Sequence, residues 1–520
     1  MNQKRHNKTK LVRLIWMAWA TLSPAIFSLA IPTLILRVSL LEYIPGFDND
    51  EIHYWHQILT FSKVGFSGGY YTIDELPAPA NFSHFGPHGL AFPVLYGTIA
   101  HVVGWYPYSP IFFNEVLLTL SLASLIYLTK PTNLQLAYIG LTVSTFWPLM
   151  LCLPTVMQET LHQVLAILIA GIFYRSLKKK NQIIIIIGGI VLVSLAALIR
   201  FTWALTALLF LIKTLKKERK WSYFLYITLL GIILIFLPFW LNRYWSSPFP
   251  NYKIIEYISK LNFLPIANNI SNNINSFISF PNPRIGGIAQ KYLGFIFRIE
   301  LLIILFSSCI SVCRMVSKSI RWNSFNWFIL YILGHITILQ ICFYGIDSYL
   351  EYRVISPYLL MILLILILLK RNKLIKLFLV INLLTMPLFI SSYREANYIG
   401  VSYARQLPAN NRYENSSIVE FEKSIKDIVV YEKEISPWCN TIATGYDSYR
   451  SNLISVPAGV GFSLIINSEK LQLPLKSKYV LLSDNTLPKL RSQLNIEYLN
   501  TTPIGKLYLN LDSHCKIPDK

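Results

Sequence analysis

LVRLIWMAWATLSPAIFSLAIPTLILRVSLL (residues 11–41) runs almost without charge into PGFDNDEIHYWHQ (residues 45–57), which is crowded with acids and histidines. The first stretch is longer than the roughly 20 apolar residues that a membrane helix needs. It lacks the small-residue cleavage site of a signal peptide. The basic segment MNQKRHNKTK stands before it, so the N-terminus is expected in the cytoplasm and residues 42–88 outside. That outer segment is the densest polar cluster before the C-terminal region. It holds Asp48, Asp50, Glu51, His53, His56, Asp74, Glu75, His84 and His88.

The rest of the chain repeats this alternation. Of its 520 residues 54% are hydrophobic and only 14% charged, and the mean hydropathy is +0.46. Soluble proteins carry about 25% charged residues, so a single soluble enzyme is excluded. The wealth of Ile, Leu, Phe and Tyr excludes disorder. Apolar runs recur at 89–105, 110–129, 134–152, 155–175, 182–212, 222–241, 292–313, 323–346, 352–369 and 374–391. Basic clusters at 178–180, 213–220, 314–321 and 370–376 mark cytoplasmic turns. The run 182–212 lies between two such clusters and must cross an even number of times. It is expected to form two short spans that turn near Arg200. Parity then requires one of the early runs to be re-entrant or interfacial, and 89–105 is the shortest. The expected fold is an all-α polytopic membrane domain over 1–391, with about 11–13 transmembrane helices. Its outer loops are 42–88 and 242–291. Residues 392–520 lose the long runs and read as a small soluble extracytoplasmic α/β domain. Within it a helix is expected over 418–433, and strands over 477–484 and 505–512.

The balance of 47 basic against 26 acidic residues, a net charge of +21, therefore reads as orientation and contact with anionic lipid, not as nucleic-acid binding. Cys152, Cys309, Cys313 and Cys342 sit in apolar runs. Cys439 and Cys515 lie in the polar C-terminal part and can pair if it faces an oxidising compartment.

The charges left outside point to chemistry. Acids of the first outer loop share a face with Arg200, Arg243 and Arg353. Cations there can hold a lipid-linked phosphate while an acid handles a hydroxyl. PGFDNDEIHYWHQ resembles the Asp-Glu motif of the GT-C membrane glycosyltransferases, which include the protein O-mannosyltransferases and the lipid A aminoarabinose transferases. Asp50-Glu51 with Tyr54 match its juxtamembrane helix start. HFGPHGLAFPVLYG (84–97), SLAALIRFTWAL (194–205) and EYRVISPYLLMIL (351–363) are similar to later elements of that class. Gly86-Pro87-His88-Gly89 stands where a Lys-Pro or His-Pro-Pro pattern is usual.

The resemblance implies a polyprenyl-phosphate sugar donor and an acceptor in the cell envelope whose identity stays open. It implies Asp50 as general base, with Glu51 and Asp48 beside it, and one inverting displacement. Arg200, Arg353 and Arg243 would hold the donor phosphate. Tyr54, His84, His88 and Glu351 would line the substrate site. No cofactor is called for, although Asp48-Asn49-Asp50 has a spacing that suits Mg²⁺ or Mn²⁺. Simpler roles compete with each of these. Asp48 and Asp50 suit a helix cap. His53 and His56 share a helix face and suit packing. Gln158, Glu159 and His162 share another and suit a hydrogen-bond network between helices. The rival functions are a transporter or flippase of lipid-linked sugars and a polysaccharide polymerase or ligase.

Overall fold

The computed structural model describes residues 2–31, 33–34, 49–76, 78–80, 85–86, 88–106, 108–178, 183–215, 221–246, 257, 260–278, 287–317, 324–338, 352–396, 417–433, 436–449 and 451–515. The apolar runs fold as helices, which satisfy their own backbone groups where no water can. Among the described residues six helices have the length and composition to cross a membrane: Lys10–Ala30, Ser109–Thr129, Glu159–Lys178, Thr228–Trp245, Lys291–Arg314 and Asn372–Tyr393. Five further apolar helices, Ala91–Val103, Ile183–Ile199, Phe201–Leu211, Phe328–Ile338 and Tyr352–Leu368, are shorter. The chain is thus a multi-pass membrane protein, mostly helical, with a small sheet at its C-terminal end.

In chain order the first helices are α1 (Asn2–Ile31), α2 (Asn49–Val64), α3 (Ala91–Val103), α4 (Ser109–Thr129), α5 (Asn133–Thr145), α6 (Trp147–Cys152), α7 (Glu159–Lys178), α8 (Ile183–Ile199), α9 (Ala207–Leu215) and α10 (Trp221–Trp245). At 1.5 Å per residue, α3 is about 20 Å long and falls short of a bilayer. It lies close along α2 because Gly97 faces Phe61; a Cβ there would come within 2.8 Å of the Phe61 ring. The run 182–212 turns at Arg200 as anticipated. α8 ends at Ile199, Arg200 is extended, and a 3₁₀ turn over Phe201–Thr206 leads into α9. The run 134–152 is not one helix. It breaks at Phe146, just before Pro148. The helix Tyr352–Leu368 is buried on all sides from Ile355 to Leu368 and packs on α7, so it lies at the centre of the bundle.

The C-terminal sheet has six strands: β1 (Thr72–Ile73), β2 (Thr441–Gly445), β3 (Gly461–Ile465), β4 (Tyr479–Leu482), β5 (Ile496–Thr502) and β6 (Gly505–Asn510). Their spatial order is β1-β3-β2-β4-β6-β5. The first four are parallel, and β6 pairs antiparallel with both β4 and β5. The strands expected at 477–484 and 505–512 are present. The helix expected over 418–433 is shorter, Ser417–Ile425. Two differences concern the domain division. The helix Asn372–Ala396 runs through residue 392, so the change of structure falls later. The sheet is also not confined to the C-terminal part. Thr72 and Ile73, from the first outer segment, pair with Ser463 and Leu464. Gly461 permits this, because a side chain there would collide with the backbone of Tyr70. Cys439 and Cys515 form a disulfide across this unit.

Candidate active site

α2 opens with Asp50 and Glu51 in its first turn, where unpaired N–H groups favour negative charge. The two acids have different surroundings. The Asp50 side chain is 40% exposed and lies 3.9 Å from His88 Nε2. Glu51 is buried, and its Oε1 accepts from Val156 N–H at 3.0 Å. Glu51 therefore holds the turn between α6 and α7. Asn114 holds the same turn from α4, donating to the carbonyls of Leu153 and Thr155 at 2.8 Å each. That turn places Glu159 at the first position of α7.

Glu159 is the residue whose weight the sequence concealed. Arg200 Nη2 donates to its Oε1 at 3.0 Å, and Arg353 Nε lies 4.0 Å from the same oxygen. Arg200 comes from the α8 turn and Arg353 from the start of the central helix. All three side chains are largely buried. Two guanidinium groups converge on one buried carboxylate, and guanidinium groups suit an anion of the phosphate type.

Tyr54 and His88 join this cluster to Asp50. Gln158 donates to the Tyr54 hydroxyl, and the Tyr54 ring packs edge-on against His88 and Phe92, each 5.3 Å away. Burial first, then the charges of Asp50 and Glu159, hold the Tyr54 hydroxyl well above its usual pKa. Burial also pulls the His88 imidazole down; Asp50 and Glu159 oppose that, while Arg200 and Arg353 add to it. One imidazole thus lies in the field of all four charged groups. Asp50, His88, Tyr54, Glu159, Arg200 and Arg353 form one site.

The structure does not bring every expected residue here. Asp48, His84 and Glu351 lie outside the described residues. Arg243 is exposed near the end of α10. Its neighbour Asn242 donates to Leu198 O at 2.7 Å, beside the Arg200 turn. Glu51, expected to orient an acceptor or a cation, is turned into the protein as described. Among the described residues no group of three or more His, Cys, Asp and Glu gathers as a metal site. The expected network on α7 exists. Trp203 Nε1 donates to His162 Nδ1 at 3.0 Å, and Gln163 Nε2 donates to Ser356 Oγ at 2.7 Å.

His53 and His56 lie on the other side of α2, against the C-terminal unit. His56 Nε2 meets Val456 O at 2.9 Å and its Nδ1 meets the Tyr71 hydroxyl at 2.8 Å. His53 Nδ1 is 3.3 Å from the Tyr449 hydroxyl. Both are in the seam between units, not a metal centre.

No protein-family model matches the chain, and no curated protein matches it. Three solved structures do. ArnT from Cupriavidus metallidurans in the apo state is 12% identical, with a TM-score of 0.43, over 95% of this chain and 98% of that one. The same protein bound to undecaprenyl phosphate is 12% identical, with a TM-score of 0.40, over 98% and 99%. An Archaeoglobus fulgidus oligosaccharyltransferase, solved with Zn and sulfate, is 13% identical, with a TM-score of 0.47, over 94% and 73%.

Proposed function

We propose that the protein is a glycosyltransferase that moves a sugar from a polyprenyl-phosphate donor to a hydroxyl of an envelope glycan, lipid or protein. The observation that carries this is the convergence of two guanidinium groups, Arg200 and Arg353, near an accessible carboxylate, Asp50, with His88 and Tyr54 between them. Arg200 and Arg353 receive the donor phosphate and stabilise the charge that grows on it. Asp50 removes the proton of the acceptor hydroxyl. The acceptor oxygen bonds to the anomeric carbon as the bond from that carbon to the phosphate oxygen breaks. The electron pair leaves with the polyprenyl phosphate, and the anomeric centre inverts. Glu51 acts at a distance from the reaction, by fixing the turn that carries Glu159.

In this reading the N-terminus is cytoplasmic and the reaction takes place at the outer face. Two features support that orientation. The disulfide between Cys439 and Cys515 suits an oxidising compartment. The pairing of β1 with β3 joins the first outer segment to the C-terminal unit, which supports putting both on one side. The unit from Ser417 onward, joined by β1, is then an extracytoplasmic one set over the site. Transport of a lipid-linked sugar would need polar groups along a crossing path. His162 and Trp203 bond to each other, as do Thr202 and Tyr358, and these bonds tie helices together.

The test is transfer of radiolabelled sugar from a panel of polyprenyl-phosphate donors by the purified protein. Asp50→Asn should lower the rate on the order of 10²–10⁴-fold. Equal turnover in both proteins would remove Asp50 as the base.

A further inference from the structure

We infer that His88 is a second catalytic residue, which carries the acceptor's proton from Asp50 to the departing phosphate. This rests on the function proposed above and adds the group that returns the Asp50 carboxylate to its charged form.

A tight turn before α3 sets the imidazole. Gly89 N–H donates to Gly86 O at 3.1 Å, and Gly86 N–H donates to Gln57 Oε1 on α2 at 3.4 Å. Neither glycine leaves room for a side chain. A Cβ on Gly86 would overlap the His53 ring. One on Gly89 would lie 2.7 Å from Asn242 Oδ1 and 3.2 Å from Leu198 O. Gly89 also has a φ of +92°, which favours glycine. The turn is thus wedged between α2, which carries Asp50, and the end of α8, two residues before Arg200. Across the site the His88 ring meets Tyr54, whose hydroxyl accepts from Gln158, the neighbour of Glu159. His88 Nε2 is 3.9 Å from Asp50 Oδ1, and 34% of the His88 side chain is exposed. That separation exceeds a hydrogen bond, as catalytic contacts often do before substrate binds.

The imidazole is neutral at physiological pH. Burial lowers it, Arg200 and Arg353 add to that, and Asp50 and Glu159 oppose it. Its neighbour His53 is lowered to about 3, by burial first and then by His88 and His56, and is neutral too. A neutral imidazole accepts a proton at one nitrogen while it gives one from the other. The donor is a phosphodiester with one negative charge. Loss of the sugar leaves a phosphomonoester, whose second ionisation lies near pH 6. A proton delivered to the departing oxygen keeps that product at one charge. The acceptor O–H bond breaks and its proton goes to Asp50. Asp50 passes it to His88 Nε2, and the Nδ1 proton goes to the oxygen that parts from the anomeric carbon. Asp50 ends as a carboxylate. His88 ends as the other tautomer, which water restores because the ring reaches solvent.

The test uses the full-length protein, radiolabelled polyprenyl-phosphate sugars as donors and an envelope extract of the source cells as acceptor. His88→Gln should lower kcat at pH 8 at least about a hundredfold, with little change in the donor KM. The natural chain should be level between pH 7 and 8. The variant should speed up as pH falls, because the departing phosphate then draws its proton from water. Imidazole added to His88→Ala should restore much of the lost rate. Natural kinetics in His88→Gln overturn the inference. So does a loss confined to the donor KM, or one that neither pH nor imidazole changes, which would mark a structural role. If the variants do not fold, single-turnover rates of the natural chain in mixtures of H2O and D2O decide. A curved dependence shows two protons moving together, and a straight line overturns the relay. Loss of transfer in Asp50→Asn with natural His88→Gln kinetics defeats this inference alone. Equal turnover in Asp50→Asn defeats the proposed base and this inference with it.

Discussion

The two flanks of α2 bury polar groups in opposite ways. Toward the C-terminal unit the groups are neutral and linked. His56 Nε2–H donates to Val456 O, which leaves Nδ1 to accept from the Tyr71 hydroxyl. Thr60 Oγ1 lies 2.8 Å from that hydroxyl and accepts from Gly459 N–H. Toward α7 the groups are charged, with Glu159 between two arginines and Asp50 half open to solvent. A linked neutral network rigidifies a seam at small cost. A buried cluster of charges is expensive to keep, and groups kept at such expense are candidates for function. One flank fastens α2; the other gives it chemistry.

The largest effects should come from disturbing the charged flank. Arg200→Gln leaves the buried Glu159 carboxylate with Arg353 alone. Removing one partner of a buried ion pair costs about 3–5 kcal/mol at its limit, and the partial exposure of Arg200 puts the expected loss near the lower end. Undecaprenyl phosphate should bind at least about tenfold more weakly, as loss of a charge-assisted bond implies. Glu159→Gln added to Arg200→Gln should restore stability but not binding. Thermal melting of the two variants with a binding titration checks both. If the double variant is no more stable than the single one, the ion pair does not carry the energy assigned to it.

The next effect sharpens the identity of the other flank. The disulfide joins residues 76 apart in sequence, and closing a loop of that length stabilises a fold by about 2–4 kcal/mol. Cys439→Ser should lower the melting point of the C-terminal unit by that measure. A reducing agent should do the same to the natural chain and nothing to the variant. Insensitivity of the natural chain to reduction would mean that the bond is not formed in the protein as made, and would withdraw one support for the outer location.

These two flanks were unequally visible beforehand. Asp50-Glu51 could be read because a helix start has local signs: acids in the first turn after a polar break. Arg200 could be read because a charge inside an apolar run is conspicuous. Glu159 was noticed as part of a polar helix face, but its partners come from the turn after α8 and from a helix almost 200 residues later. Spacing along one helix carries no trace of them. The seam was invisible for a related reason. β1 has two residues, too few for an alternating pattern, and β2 is buried along its whole length, so it lacks the alternation of a half-exposed strand. Tyr449 is 396 residues from His53, and nothing local in either residue indicates the other.

The smallest effect separates the flanks by pH. His56 is fully buried, and burial lowers it from 6.5 to about 4, the Val456 carbonyl opposing. The unfolded chain takes up a proton as pH falls through 6.5, whereas the folded chain does not until about 4. Stability from the neutral imidazole is therefore complete above pH 6.5 and is lost progressively as pH falls toward 4. One histidine shifted in this way costs about 2 kcal/mol between pH 6.5 and 5. His53, lowered to about 3, adds a loss of the same sign over a wider window. Melting of the natural chain should thus drop on going from pH 7 to 5, and His56→Gln should flatten that slope by about one proton. The charged flank adds a loss of the same sign through His88, whose imidazole burial also lowers, so it is the difference between the natural chain and His56→Gln that reports the seam. An unchanged slope in His56→Gln would show that the seam does not hold a neutral histidine, and the contrast between the two sides of α2 would have to be drawn from packing instead of charge.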